Sequence, residues 1–301
     1  MLELTGLEKR YGDVLALGGC TFRAQPGRMV GFLGPNGSGK TTAMRSVFGL
    51  VALDAGSVHW RGEPIRPEER ARFGYMPEQR GLYPRMRVRD QAIYFARLHG
   101  LSSNEAATAA DHWLERLGLT DRATARVEEL SHGNQQRVQL IIALVHEADL
   151  LILDEPFSGL DPLGVAALGD VVREQAARGA AVVFSSHQLD LVEDLCDDIA
   201  VINGGRVVLD GALDSVRAAS PSRYVHASVL ADGQPVPWHA AIEGVELLWE
   251  RGTEARMRVP TDTDPASLLA AAQAAGSVGF FRFEPPSLSD LFMEAVAEAR
   301  P

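Results

Sequence analysis

Nine residues, GPNGSGKTT at positions 34 to 42, restrict this chain more than any other stretch. Gly34, Gly39, Lys40 and Thr41 occupy the fixed places of G-x-x-x-x-G-K-[ST], a glycine-rich turn that offers its backbone N–H groups to an anion. At average glycine usage such a match arises by chance in about one chain of this length in a hundred, so its neighbours decide. RMVGFLG before it is a short apolar run ending in glycine, as a buried strand would be, and KTTAMRSVFGL after it carries apolar residues at helical spacing. Strand, loop, helix is the required order. It turns the N–H groups and the positive end of a helix dipole toward one anion. Gly34, Pro35, Asn36, Gly37, Ser38, Gly39, Lys40, Thr41 and Thr42 are therefore candidates to cradle a triphosphate. Lys40 is one of two lysines in a chain that otherwise uses arginine. A compact ammonium on a flexible stem reaches between phosphates where a planar guanidinium is bulkier and geometrically stricter. Thr41 offers a hydroxyl to Mg2+. The competing reading is a glycine-rich surface turn.

With 301 residues and 46% hydrophobic content, the chain suits one sizeable domain plus a smaller one. Its formal net charge of −11 argues against a nucleic-acid partner, which needs a basic face. Cys20 and Cys196 are far apart and in no metal-ligand spacing, which suggests reduced thiols in a cytosolic protein. The start, MLELTGLEKRYG, lacks the layout of a signal peptide, and no apolar run approaches the roughly 20 residues that cross a bilayer. Any membrane role has to come through a partner.

Residues 2 to 33 read as strands and turns, with a turn at Pro26-Gly27. From about 85 to 130 the pattern becomes helical, in VRDQAIYFARLHG and AADHWLERLGL, and suggests an inserted helical subdomain. DLLILDEP and AAVVFSSH are continuous apolar runs separated by helices, which predicts parallel strands buried on both faces. DIAVING is expected to be the last strand before a turn at Gly204-Gly205, and periodicity lapses across 211–222. The domains are therefore drawn at 1–215 and 216–301. The second part holds three strand-like stretches, RYVHASVL, EARMRV and VGFFRF, and two helical ones, DPASLLAAAQAA and LSDLFMEAVAEA, as a small α+β accessory domain would.

LLILDEP ends in Asp154 and Glu155. At the end of a strand beside the glycine loop, Asp154 would hold magnesium with Thr41, and Glu155 would reach the terminal phosphate and polarise an attacking water. His187, at the end of the following apolar run, would enter the same pocket. Its imidazole can bond a phosphate oxygen and help fix Glu155 and the water. Alone, a strand-end histidine is more often structural, and the competing reading of the carboxylate pair is an ordinary strand end meeting solvent.

LSHGNQQRV at 130–138, together with the P-loop, LLILDEP, FSGLD and SSH, resembles the ATP-binding subunit of ABC transporters over about residues 2 to 215. In that family the signature is usually LSGGQ. The fold this implies is α/β: a P-loop NTPase core of ABC ATPase type with an N-terminal antiparallel β subdomain, an inserted helical subdomain and the C-terminal α+β domain. Ser131 is a good helix N-cap and Gly133 allows close backbone approach, so this helix start is a second anion site. The resemblance implies a head-to-tail dimer of two like chains, in which Ser131 and Gly133 of one subunit close on ATP held by the other, with Asp161 of FSGLD across the interface. His132 and Asn134 depart from the usual signature. Glu78 falls where the family has its Q-loop glutamine and would ligate magnesium without donating an amide hydrogen bond, unless Gln79 serves by a one-residue shift. Tyr11 matches the aromatic that stacks on adenine; otherwise it is a surface tyrosine.

PEQRGLYP, LSHGNQQRV and the C-terminal PSLSDLFMEAV are similar to the ATPases of ABC-2-type exporters, such as those of sodium-extrusion and antibiotic-resistance systems. This implies ATP and Mg2+ as ligands, an integral-membrane permease and a second ATP-binding subunit as partners, and a place at the cytoplasmic face of the membrane. Leu82, Tyr83 and Met86 are candidates for the groove that takes the permease, or equally local core. Two rival readings remain at this point: a nucleotide-binding regulator with little turnover, suggested by Glu78, His132 and Asn134, and a soluble ABC ATPase outside transport.

Overall fold

The structure is a computed structural model and describes residues 1–79, 81–242 and 244–298. Arg80, within PEQRGLYP, and Glu243 and 299–301, within the C-terminal part, lie outside the described residues. Contacts divide the chain into two units, Met1–Ala212 together with the chain from Ala295, and Leu213–Glu294.

In chain order the first unit runs β1 (Leu2–Tyr11), β2 (Val14–Ala24), β3 (Met29–Leu33), α1 (Lys40–Val47), β4 (Ala55–Trp60), β5 (Glu63–Pro64), α2 (Pro67–Arg70), β6 (Phe73–Met76), α3 (Val88–Leu98), α4 (Ser103–Arg116), α5 (His132–Leu144), β7 (Leu150–Leu153), α6 (Pro162–Ala177), β8 (Ala181–Ser185), α7 (Leu189–Leu195), β9 (Asp198–Asn203) and β10 (Arg206–Ala212). Two sheets result, an antiparallel one in the order β2-β1-β4-β5 and a six-stranded one in the order β10-β9-β3-β8-β7-β6. In the larger sheet β9, β3, β8, β7 and β6 are parallel, and β10 returns antiparallel to β9. Every residue of β3, β7 and β8 is buried, as the unbroken apolar runs require. Leu4, Leu17 and Phe22 of the first sheet meet Phe32, Met44 and Ile152 in one core, and Phe22 stacks on Phe32 at 4.7 Å between centroids. Each such side chain contributes about 1.5–3 kcal/mol by burial. A parallel sheet has one functional consequence: the loops after β3, β6, β7 and β8 all emerge at the same edge.

The expected elements form, and others join them. β4, β5, α2 and β6 fill residues 55–76, where no element was anticipated. DIAVING is not the last strand of its sheet, because Gly204 and Gly205, both at positive φ, make a tight hairpin that sends β10 back along β9.

The second unit begins with α8 (Leu213–Ala219), so the stretch without evident periodicity is partly helical. It continues as β11 (Ser222–Ala231), β12 (Gln234–Pro235), β13 (Glu246–Arg251), β14 (Glu254–Pro260), α9 (Pro265–Ala275), β15 (Ser277–Glu284) and α10 (Leu288–Glu298), the last of which runs past the unit's end. β11 is central, flanked by β14 and β15. One face of this antiparallel sheet buries Val225, Ala227 and Met257 against Leu268 and Ala272 of α9. On the other, Arg256 and Arg258 pair with Asp290 and Glu294. The sheet has five strands against the three expected; β12 is a two-residue hairpin arm and β13 is mostly exposed, so neither carries an apolar run.

Candidate functional site

Residues 34 to 39 leave the end of β3 and enter α1 at Gly39, whose φ is 108°. A Cβ on Gly39 would lie 2.4 Å from the Ala16 carbonyl oxygen, so both the backbone angle and the neighbouring β2 demand glycine. Lys40 folds back over this loop, donating from Nζ to the carbonyls of Gly34 at 2.7 Å and Pro35 at 3.1 Å. Burial pushes its ammonium below the ordinary lysine pKa, while the charges of Glu155, Asp154 and Glu78 oppose that shift. Three carboxylates from two loops thus act on one poorly solvated cation.

Asp154 follows directly on β7 and is buried. Its Oδ2 accepts from Thr41 Oγ1 at 2.8 Å, and its Oδ1 accepts from Ser185 Oγ at 2.6 Å. Ser185 Oγ also accepts from the Glu155 N–H at 2.9 Å. One fully buried hydroxyl at the end of β8 therefore sets both the side chain of Asp154 and the backbone of Glu155. The sequence reading missed Ser185, although it is the first serine of the quoted SSH; the signal was its place at the end of the apolar run beside β7.

Glu155 adopts φ 53°, an unfavourable region for a residue with a Cβ, at a cost of about 1–3 kcal/mol. Its neighbours hold it there. Besides Ser185 on the N–H, the buried Gln136 donates from Nε2 to the carbonyls of Glu155 and Pro156, both at 3.0 Å. Oε2 of Glu155 lies 2.9 Å from Nδ1 of His187, which is mostly exposed. Carboxylate and imidazole thus face the open side of the loop as a bonded pair.

Glu78 and Gln79 follow β6 and are exposed. Tyr11 ends β1, half-exposed, with the Lys9 ammonium 5.4 Å from its ring centroid. It sits on the hairpin whose other strand touches Gly39. Thr41 and Asp154 converge as a hydroxyl and a carboxylate, hard oxygen donors of the kind magnesium takes. No group of three or more His, Cys, Asp or Glu that could hold a metal stands together among the described residues, so a cation here would complete its shell with phosphate and water oxygens.

The signature residues form a second group. Ser131 caps α5 by accepting from the Asn134 N–H at 3.4 Å, and Ser131 and His132 are exposed. A Cβ on Gly133 would lie 3.3 Å from Leu160, so this helix start abuts the FSGLD segment. Asp161 caps α6 by accepting from the Gly164 N–H at 2.7 Å. Among the described residues no hydrogen bond joins Ser131, Gly133 or Asp161 to the loop at 34–42.

Leu82 lines a groove of about 300 Å³ with Phe48, Tyr75, Phe95, Ile142 and His146. Tyr83 is half-exposed and its backbone is bracketed by the buried Gln91, at 3.0 and 3.2 Å. Met86 is partly buried. No helix among the described residues is long and apolar enough to cross a membrane.

Known proteins resemble this chain in both of its parts. Residues 17–158 match the family described as ABC transporter, and residues 211–296 match the C-terminal domain described as ATP-binding protein DrrA1-3-like. The chain is 38% identical over 296 residues to the uncharacterized ABC transporter ATP-binding protein YhaQ of Bacillus subtilis, covering 98% of each. It is 39% identical to the Nod factor export ATP-binding protein I of Burkholderia thailandensis, covering 70% of each. A solved structure of the ATP binding subunit of an ABC transporter superposes with a TM-score of 0.68 at 33% identity, covering 72% of this chain and 92% of that one.

Proposed function

The chain belongs to the family of ABC transporter ATP-binding proteins, and on that premise we propose that it binds and hydrolyses ATP·Mg2+ to drive a separate permease, in the direction of export. The observation that carries this reading is the chain of hydrogen bonds Thr41–Asp154–Ser185–Glu155 ending on His187, set beside Lys40. The nine residues 34–42 take the phosphates. Lys40 exchanges its two carbonyl partners for β- and γ-phosphate oxygens. With Asp154, Glu155 and Glu78 close to one lysine, a triphosphate needs a divalent cation to offset the negative charge, and Thr41, Asp154 and Glu78 are the residues to hold it. When bound, magnesium supplies charge neutralisation on the phosphate oxygens. Glu155 orients and polarises the attacking water, and His187 keeps the carboxylate aimed and bonds the γ-phosphate. Tyr11 stacks on the base.

Among the described residues no hydrogen bond joins Ser131, Gly133 or Asp161 to the loop, and this supports a paired arrangement in which a second copy supplies them. ATP then closes the dimer and hydrolysis reopens it. Residues 1–215 are assigned to this work and 216–301 to an accessory domain. The permease anchors the pair at the cytoplasmic face of the membrane, and similarity to the Nod factor export protein favours an exporter. The test is the specific ATPase rate with magnesium over a wide range of protein concentration. A rate that climbs with concentration is expected. A flat zero with confirmed ATP binding would favour a nucleotide-binding regulator, the reading that Glu78, His132 and Asn134 keep in view.

A further inference from the structure

α5 carries polar side chains where its packing calls for apolar ones. Gln136 and Gln139, three residues apart and so on one face, are only 5% and 3% exposed. An amide in such a place costs stability unless it is bonded, so each must be fixed by a specific partner. Gln136 Nε2 holds the carbonyls of Glu155 and Pro156, just after β7. Gln139 Nε2 holds the carbonyl of Pro77, just after β6 and next to Glu78. Reversing the Gln139 amide would set two oxygens against each other, so only the donating orientation is compatible with Pro77.

These attachments are on a rigid support. A Cβ on Gly74 would lie 2.1 Å from the Ala143 carbonyl, so the last turn of α5 rests directly on the backbone of β6. β6 pairs with β7, and the Asp154 N–H donates to the Met76 carbonyl at 2.7 Å. One helix thus crosses the ends of two neighbouring strands, with an amide on the loop that follows each. Its free end is Ser131, the residue that, on the function proposed above, meets the partner's nucleotide. At 1.5 Å per residue, Ser131 and Gln139 are about 12 Å apart along one stiff element.

We propose that Gln136 and Gln139 are positioning residues that make α5 a two-point strut. Gln136 locks the strained backbone of Glu155, and Gln139 makes the Glu78 segment follow the signature end of the helix when a second chain engages it. The two amides have separable duties. Gln136 sets the aim of the carboxylate; Gln139 transmits movement to the segment that leads into the groove.

A reporter separates them. Gly81 is exposed and a Cβ there meets nothing within 4 Å, so Gly81→Cys accepts a fluorescent thiol label. The chain without the added thiol gives the background from Cys20 and Cys196. In a Glu155→Gln background, addition of ATP and Mg2+ is followed by light scattering for dimer mass and by fluorescence for the segment. With Gln139 present, both signals change. Gln139→Met keeps the side chain's shape and removes its donor: dimer mass still doubles and the fluorescence change falls to less than half. Gln139→Leu is the second variant should the first unfold, with thermal melting as the check on both. Gln136→Met, with Glu155 intact, slows turnover about tenfold, as expected when the buried bonds to the Glu155 and Pro156 carbonyls are lost. In the Glu155→Gln background it leaves the Gly81 signal in place. An undiminished fluorescence change in a Gln139 variant that dimerises overturns the proposal. If the Glu155→Gln chain binds ATP and stays monomeric, the paired-chain reading fails, and the strut, which needs a partner to act on it, falls with it.

Discussion

The two groups of residues proposed to meet phosphate in this chain are finished to different degrees. Around Lys40 a continuous series of side chains is committed within the chain: Thr41 to Asp154, Asp154 to Ser185, Ser185 to Glu155 and Glu155 to His187. Around Ser131 the hydroxyl of Ser131 and the carboxylate of Asp161 cap their own helices, and Ser131 and His132 are exposed. A site whose interactions are satisfied in advance loses little order on binding its ligand. The contrast teaches that, on the proposed paired arrangement, the loop half of the site is the one the chain itself preorganises.

Complementation between damaged chains gives the largest effect. Lys40→Ala should reduce turnover about a hundredfold or more by removing the cation that faces the phosphates. Gly133→Asp should do the same by placing a carboxylate at an anion-binding helix start, while ATP binding to the single chain survives. An equal mixture should recover about a quarter of the wild-type rate, because half the dimers are mixed and each mixed dimer holds one intact composite site out of two. ATPase assays on the mixture decide it. No recovery would mean that the two groups do not meet across a dimer, and the contrast between halves would lose its explanation.

Ser185→Ala tests whether the loop half is preorganised by the chain itself. It strips a partner from Asp154 and from the Glu155 N–H in a buried place, at about 1–3 kcal/mol, and kcat should fall about tenfold with ATP affinity little changed. An unchanged kcat would show that substrate and metal, not Ser185, set the carboxylates. Tyr11→Ala should have a smaller effect, raising KM for ATP about two- to tenfold by loss of stacking and leaving kcat alone. The same variant reads the opposite way if kcat falls, for then the tyrosine serves the hydrolytic geometry.

The loop half was also the more legible in the sequence. Fully buried parallel strands write themselves as apolar runs, and a phosphate loop needs residue types at fixed spacing, so β3, β7, β8 and residues 34–42 could be read directly. β6 could not: FGYM is four residues long with a glycine that exists to let α5 approach. Nor could the positive φ of Glu155, or Ser185, Gln136 and Gln139, whose bonds run to backbone groups 19 to 62 residues away. On α5 these glutamines look like a solvent-facing stripe. Periodicity reports which face is apolar, and a helix that buries amides to grip two loops defeats that signal.

The rear of α5 offers the finest test of the comparison. His146 lies two residues past the helix and stacks face to face on His99, with ring centroids 3.6 Å apart, in the groove that Arg70 also lines; Glu147 is its sequence neighbour. Burial, and then the neighbouring His99, push the His146 pKa down to about 4 from its ordinary 6.5. Between those values the unfolded chain takes up a proton that the folded chain excludes, so stability falls as pH drops through the window from 6.5 to 4 and is unaffected by this group above it. The loss reaches on the order of 2 kcal/mol by pH 5, or about 4–8 °C in Tm for a unit of this size. His146→Phe keeps a flat ring against His99 and removes the titration, so its Tm should decline less between pH 7 and pH 5 than that of the wild type. Because His146 supports the end of α5 opposite Ser131, acidification in the wild type should weaken ATP-driven dimerisation before it weakens ATP binding to the single chain, and the Phe variant should separate the two less. Parallel Tm profiles in the two proteins would remove His146 as the cause. Equal losses of binding and dimerisation would show that α5 supports both halves of the site alike.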